Sequence, residues 1–300
     1  MFNAAEKLAC RRLIELALEE DVGPGDLTSR SVIPADLPGR AALVARQEGV
    51  LAGLPAAQMV FATVDPQVVF TPLARDGDRL THGLKLARVT GPMRSILTAE
   101  RTALNFVQHL GGVATLTRRH VDAVAGLPCQ VLDTRKTLPG WRLLDKYAVR
   151  MGGGHNHRLG LYDGVLIKDN HLEALGRAEG GAEGGHGEKG IRAAVAAARA
   201  ACPPLESSGV PLEIEVDDLV ELDEALRCRP DIVLLDNMGP DLLRQAVHLR
   251  DRVAPGVRLE ASGGVTLATL REIAATGVDR VSIGALTHSA PALDIALDYE

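Results

Sequence analysis

Aromatic residues are scarce in this chain: one Trp, three Tyr and four Phe among 300 residues. Ala, Leu, Val and Gly dominate instead, which suits helices packed on a sheet better than a β-sandwich. Cysteine is equally sparse. Cys10, Cys129, Cys202 and Cys228 are widely spaced and form no CxxC pair, so neither a zinc site nor a disulfide framework is indicated, and a reduced, cytoplasmic chain is expected. No charge-free window of about 18 apolar residues occurs. The amino terminus, MFNAAEKLACRRL, lacks an uninterrupted apolar core, so no membrane segment or export signal is expected. An excess of positive charge is missing too: the formal net charge is −6, which argues against a general nucleic-acid or membrane-surface binder.

Against that acidic background one stretch reverses the sign. Asp133 to His171 reads DTRKTLPGWRLLDKYAVRMGGGHNHRLGLYDGVLIKDNH. It sets Arg135, Lys136, Arg142, Lys146, Arg150, Arg158 and Lys168, with His155, His157 and His171, against only Asp133, Asp145, Asp163 and Asp169. Because the positive charge is local, its partner should be local, and a small, multiply anionic ligand is the expectation. Gly152, Gly153 and Gly154 lie inside the stretch, and such a run lets backbone approach where a Cβ would not fit.

The chain opens with a helix over residues 5–20, where Leu8, Leu13, Ile14, Ala17 and Leu18 form one stripe. The loop EDVGPGDLTS ends it. Short β-like runs follow at Ala41–Arg46, Val50–Ala52, Val68–Leu73 and Leu84–Val89, with a helix from Pro55 to Val64, giving a small mixed α+β unit. Ser95 is positioned to cap a helix Ile96–Leu110 that Gly111 and Gly112 stop, and a second helix runs from Ala114 to Val124. The expected organisation is an N-terminal α+β domain over 1–112 and a second domain over 113–285, with a C-terminal helix at about 286–300 packing on the first.

From Gln130 the rhythm changes to apolar runs each followed by a helical pattern: Cys129–Leu132, Val165–Ile167, Leu212–Val216, Ile232–Leu235, Arg258–Ala261 and Val281–Ile283. Repeated β then α with continuous apolar strands predicts a parallel sheet covered on both faces, an α/β barrel or a large open sheet. Gly176–Gly190, rich in glycine and glutamate, reads as a mobile loop.

In parallel α/β folds, function collects at the carboxyl ends of the strands. Here these carry Asp133 with Arg135 and Lys136, then Lys168, Glu215, Asp236, Ser262 with Gly263 and Gly264, and Gly284. A Ser-Gly-Gly turn opening a helix suits a phosphate held on backbone N–H groups. Arg135, Lys136, Arg158 and Lys168 as a set would select a dianion, since each cation about 4 Å from a carboxylate gains roughly 4 kcal/mol before desolvation at an effective dielectric of about 20. Glu215 and Asp236 suit either a divalent cation, the hydroxyls of a sugar, or plain ion pairs with the lysines. His155 and His157 lack a third ligand at metal spacing, so an anion-contacting or structural role is expected.

The central stretch, together with EDVGPGDLTS, ERTALNF at 100–106, EIEV at 213–216, LLDNM at 234–238 and EASGGV at 260–265, resembles the quinolinate phosphoribosyltransferase family over nearly the whole chain. The resemblance implies an open parallel α/β barrel (TIM-like) with a smaller N-terminal mixed α+β domain, in a homodimer or dimer-based oligomer. It implies transfer of a phosphoribosyl group from phosphoribosyl pyrophosphate to quinolinate with decarboxylation, giving nicotinate mononucleotide, CO2 and pyrophosphate for NAD biosynthesis, with Mg2+ required. Residue by residue, it implies that Arg135, His157, Arg158 and Lys168 hold the quinolinate carboxylates, with Arg101 supplied by the neighbouring subunit. Lys136, Glu215 and Asp236 become the catalytic groups around ribose, pyrophosphate and metal, and Ser262, Gly263, Gly264 and Gly284 the 5′-phosphate cradle. Three rivals stand beside this: a paralogue with another substrate, a Schiff-base aldolase using Lys168, and a phosphometabolite-binding regulator without turnover.

Overall fold

The computed structural model describes residues 1–178, 188–201 and 209–300. The loop expected at Gly176–Gly190 falls mostly on residues 179–187, outside those described. The chain divides into two compact units. The first comprises Met1–Arg119, Lys136–His155 and Gly284–Glu300, and the second His120–Arg135 and Asn156–Ile283.

In the first unit, α1 (Ala4–Asp21) starts where Asn3 and Glu6 cap each other reciprocally. The Asn3 side chain accepts the Glu6 N–H at 2.9 Å and the Glu6 carboxylate accepts the Asn3 N–H at 2.8 Å, so donors that the first helical turn leaves unpaired are satisfied. Two short helices, α2 (Leu27–Val32) and α3 (Leu54–Val64), accompany a four-stranded antiparallel sheet. Its strands are β1 (Pro38–Ala45), β3 (Val69–Pro72), β5 (Lys85–Pro92) and β12 (Ile295–Tyr299), in the order β12-β1-β5-β3. A two-stranded ribbon pairs β2 (Gly49–Val50) with β4 (Arg79–Leu80).

Two expectations are corrected here. The C-terminal stretch is not a helix over 286–300: a four-residue helix, Ala285–His288, is followed by β12, which pairs antiparallel with β1 from Ala41↔Tyr299 to Ala45↔Ile295. Ile295 and Leu297 are buried while Ala296 and Asp298 are not, a period of two that fits a strand with one face on the core. Nor do Gly111 and Gly112 break a helix. A single helix, α4, runs from Met93 to Ala123, and Ser95, rather than capping it, donates its hydroxyl to Asp65 at 2.6 Å. The glycines are there for proximity: a Cβ on Gly112 would lie 2.1 Å from the Pro291 carbonyl oxygen, and one on Gly111 3.0 Å from the Leu293 side chain.

Helix α5 (Arg142–Met151) fills the rest of the first unit. Its charges are structural, as their distance from any strand end suggests. Lys146 and Asp145 are fully buried, Asp145 pairs with His109 at 2.7 Å, and Arg150 pairs with Glu6. Gly152 lets the end of α5 press on α4, since its Cβ would lie 2.5 Å from the Ala114 carbonyl oxygen.

The second unit is a six-stranded parallel sheet in the order β6-β11-β10-β9-β8-β7. The strands are β6 (Gln130–Leu132), β7 (Val165–Ile167), β8 (Leu212–Val216), β9 (Ile232–Asp236), β10 (Arg258–Ser262) and β11 (Arg280–Ser282). Helices α6 (Asp169–Ala178), α7 (Glu188–Ala201), α8 (Leu219–Cys228), α9 (Pro240–Val253) and α10 (Leu267–Ala274) alternate with them. From β7 to β11 each strand lies beside the next in sequence, and β6 joins beyond β11. Among the described residues β6 and β7 do not pair, so this is an α/β barrel opened between them, as expected.

Replacing Gly112 with Ala should test the close approach. Helix propensity alone favours Ala by about 1 kcal/mol, whereas forcing a methyl into a packed contact costs about 1–3 kcal/mol. Gly112→Ala is therefore expected to lower stability, read as a reduced urea midpoint. A neutral or raised midpoint would show that Pro291 is not close to the helix.

Candidate active site

Strand register sorts the polar residues of the sheet into layers. Glu213 pairs with Ile232, Glu215 with Leu234, Glu260 with both Leu234 and Arg280, and Ser262 with Asp236. Side chains alternate between faces, so Glu213, Glu215, Asp236, Glu260, Ser262 and Arg280 all belong to one face. Asp236 and Ser262 share the row at the carboxyl ends, and Glu215, partly exposed, shares the next row with Leu234, Glu260 and Arg280. Glu213, Glu260 and Arg280 are buried beneath the strand ends.

At the strand ends, Lys168 Nζ lies 2.6 Å from Glu215 Oε2. Burial pushes the Glu215 pKa up, the hydrogen bond and charge of Lys168 pull it down, and the nearby Asp236 charge raises it again. Asp236 accepts the side-chain amide of Asn237 at 2.6 Å, and the Asn237 N–H donates to the Ser262 carbonyl at 2.9 Å. Asn237 itself adopts φ +54°, and Gly263 beside it φ +91°. A Cβ on Gly263 would lie 2.1 Å from Asn237 Oδ1, while nothing crowds Gly264. The Ser-Gly-Gly turn is thus open on one side and braced by Asn237 on the other.

Arg158 is placed by the loop after α5. The buried Asp133, just past β6, accepts the His157 N–H at 2.8 Å and the Asn156 side-chain amide at 2.6 Å, tying that loop to the end of β6. The Arg158 guanidinium donates to the Gly164 carbonyl at 3.1 Å. Its pKa is lowered, first by burial and then by the Arg135 charge, which places the two guanidiniums within electrostatic reach of each other. Two cations held together in a half-buried setting are what an anionic ligand would relieve.

His157 is engaged otherwise than its expected role suggests. Its Nε2 lies 3.1 Å from Glu213 and 3.4 Å from Glu260, and Arg280 Nε lies 2.8 Å from the second Glu260 oxygen. Burial weakens the ring's hold on a proton, but the hydrogen bonds to Glu213 and Glu260 outweigh it and push the pKa up to about 9. Nδ1 meanwhile accepts the Arg158 N–H at 2.8 Å, which requires a lone pair there. The glutamates favour a doubly protonated ring and the N–H contact opposes it. Either way a proton sits at Nε2, facing the carboxylates. Glu213, Glu260 and Arg280 were not singled out from sequence, although the alternations EIEV and EAS carry the signal: each places a deep acid two residues before a strand-end group.

The remaining expected residues belong to the first unit. Lys136 follows Arg135 directly in the chain, and its side chain would meet a Cβ on Gly284 at 2.9 Å. The Thr287 hydroxyl donates to the Lys136 carbonyl at 2.7 Å. His288 Nε2 lies 3.2 Å from that same Cβ position, a polar neighbour of Gly284 with no counterpart in the sequence reading. Arg101 is exposed on α4, and His155 is exposed beyond α5.

Comparison with known proteins agrees with this architecture. Residues 26–111 match the quinolinate phosphoribosyl transferase N-terminal domain and residues 113–298 its C-terminal domain. A nicotinate-nucleotide pyrophosphorylase (carboxylating) of Mycobacterium leprae is 45% identical over 99% of this chain and 100% of its own length. A quinolinate phosphoribosyltransferase (decarboxylating) of Nicotiana tabacum is 40% identical, covering 96% of this chain and 81% of its own. The solved structure of a nicotinate-nucleotide pyrophosphorylase from Francisella tularensis superimposes with a TM-score of 0.85 at 37% identity, over 97% of this chain and 96% of that one. With both domain types matched in order and relatives aligned from end to end, the chain belongs to the quinolinate phosphoribosyltransferase family.

Proposed function

We propose that this chain transfers the phosphoribosyl group of phosphoribosyl pyrophosphate to the ring nitrogen of quinolinate, with loss of the 2-carboxylate, to give nicotinate mononucleotide, CO2 and pyrophosphate in NAD biosynthesis. The observation that supports this most directly is the set of charged groups at the carboxyl ends of one barrel, the half-buried Arg135 after β6 and Lys168, Glu215, Asp236 and a Ser-Gly-Gly turn at other strand ends, with Arg158 within electrostatic reach of Arg135. Arg135, Arg158 and Lys168 bind the two ring carboxylates, with His157 behind them. Ser262, Gly263 and Gly264 hold the 5′-phosphate on an open backbone turn. Glu215 and Asp236 anchor the ribose hydroxyls and stabilise the cationic character that develops at C1′.

The bond from C1′ to pyrophosphate breaks as the bond to the ring nitrogen forms. The 2-carboxylate then leaves as CO2, the bonding pair stays on C2, where the positive charge of the adjacent quaternised nitrogen stabilises it, and a proton is taken up at C2. Positioning and electrostatics carry both steps, so no protein nucleophile is needed. Glu215 and Asp236 offer hard oxygen donors whose mutual repulsion a divalent cation would relieve, so the residues fit Mg2+. Bound there or carried by phosphoribosyl pyrophosphate, the ion would neutralise charge on the departing pyrophosphate.

Lys168 is ion-paired with Glu215 rather than presented as a free amine, which disfavours a Schiff-base aldolase. The exposed Arg101 is read as completing the site of a second copy in a homodimer. None of the described helices is long and apolar enough to cross a membrane. The buried thiols of Cys10 and Cys129, pushed up to about 12 by burial, are consistent with a reducing cytoplasm.

Incubation with quinolinate, phosphoribosyl pyrophosphate and Mg2+ is expected to release CO2 and form nicotinate mononucleotide; folded protein that does neither would refute the reading. Arg135→Ala should raise the quinolinate KM by at least about thirtyfold, corresponding to about 2 kcal/mol or more for a carboxylate that loses its partner. The KM for phosphoribosyl pyrophosphate should hold. In Lys168→Met the Glu215 carboxyl loses the hydrogen bond that lowers its pKa. Its titration should move to higher pH in carbon-13 NMR, and the acid limb of kcat/KM should follow; an unmoved titration would show that the ion pair does not form in solution.

A further inference from the structure

The buried layer under the strand ends contains more charge than the transfer reaction uses. Glu213 and Glu260 are almost wholly inaccessible, come from different strands, and converge on a single atom, His157 Nε2. The opposite ring nitrogen holds the Arg158 N–H. The chain of contacts therefore runs from two strands of the barrel, through an imidazole, to the backbone of Arg158.

We infer that Glu213 and Glu260 are positioning residues for the carboxylate-binding site, fixing Arg158 through His157, so that His157 acts on the substrate through Arg158 rather than through a ring nitrogen. The inference rests on the proposed reading of Arg135 and Arg158 as ligands of the quinolinate carboxylates. Three constraints fix the ring: Asp133 holds the His157 N–H, the glutamates hold Nε2, and Arg158 occupies Nδ1. With both nitrogens taken, the ring has no donor left for a substrate oxygen. Arg280, 2.8 Å from Glu260, supplies positive charge on the far side, so one carboxylate is balanced by a guanidinium and the other by the Nε2–H and the cations of the site above.

His157, Glu213 and Glu260 also bring three potential metal-ligand atoms within 4.8 Å of one another. A divalent ion there would compete with the Arg280 cation for Glu260, and it would displace the proton that the two glutamates share. The geometry favours the proton, and metal analysis separates the two.

The test compares wild type with Glu213→Gln, a substitution that keeps shape and removes charge. The quinolinate KM is expected to rise about tenfold or more while kcat and the KM for phosphoribosyl pyrophosphate stay within about twofold, and Glu213→Asp should recover part of the loss. A purely structural role would instead lower the melting temperature and shift both KM values together, and that outcome overturns the inference. Nitrogen-15 NMR of the wild-type His157 ring, which needs no variant, should show Nε2 protonated near neutral pH. An unprotonated Nε2, or stoichiometric metal released on denaturation, also overturns it. Wild type that forms no nicotinate mononucleotide refutes the parent reading. Wild type that turns over normally beside a Glu213→Gln variant with unchanged quinolinate KM refutes this inference alone.

Discussion

Burying two carboxylates inside a parallel barrel is costly unless each is matched by a cation or a proton donor, and the site is arranged around meeting that requirement. Glu260 is wholly inaccessible and Glu213 nearly so. Their partners, Arg280 and His157, come from the last barrel strand and from a loop far away in sequence. An unmatched charge in such a place destabilises by several kcal/mol, whereas a matched set contributes little net stability. What the set does contribute is geometry: the loop that bears His157 and Arg158 has few positions in which both glutamates remain satisfied. The groups above it inherit that definition.

Much of the site was legible because strand ends are marked by local sequence. Lys168, Glu215, Asp236 and Ser262 each follow or finish a short apolar run, and the rule that parallel barrels work at their carboxyl ends needs no knowledge of which strand lies beside which. The buried layer was not legible on the same terms. Glu213, Glu260 and Arg280 meet His157 only after four separate chain segments are brought together, and single buried acids in apolar strands look like interruptions of a pattern until register shows that they share a face. Here spacing that excluded a third ligand near His157 along the chain said nothing about ligands arriving across the sheet.

Glycine shows the same division. At Gly263 part of the need is conformational and local, a left-handed backbone in a turn that a Ser-Gly-Gly motif announces, and part is the close approach of Asn237. At Gly112 the need is set by a carbonyl nearly two hundred residues further on, Pro291, so reading the pair at 111 and 112 as a helix stop followed from local rules and failed for a tertiary reason. The C-terminal segment failed likewise, because Ile295–Tyr299 takes its conformation from the edge of β1 that it covers. Local propensity is a weak prior wherever a distant partner decides.

That last pairing bears on how the protein comes into being. The first unit is completed by its final strand, β12, and in the sheet order β12-β1-β5-β3 the strand β1 has a neighbour on that side only when the terminal residues are in place. During synthesis, β1 is therefore an unprotected edge from the time it emerges until residues 295–299 follow, presenting unpaired N–H and C=O groups to any other nascent chain. Closing the sheet joins Ala41 to Tyr299 and Ala45 to Ile295, contacts of long sequence separation and of the kind that slows folding most. A chain halted before Ile295 would hold an intact barrel sequence and an open sheet.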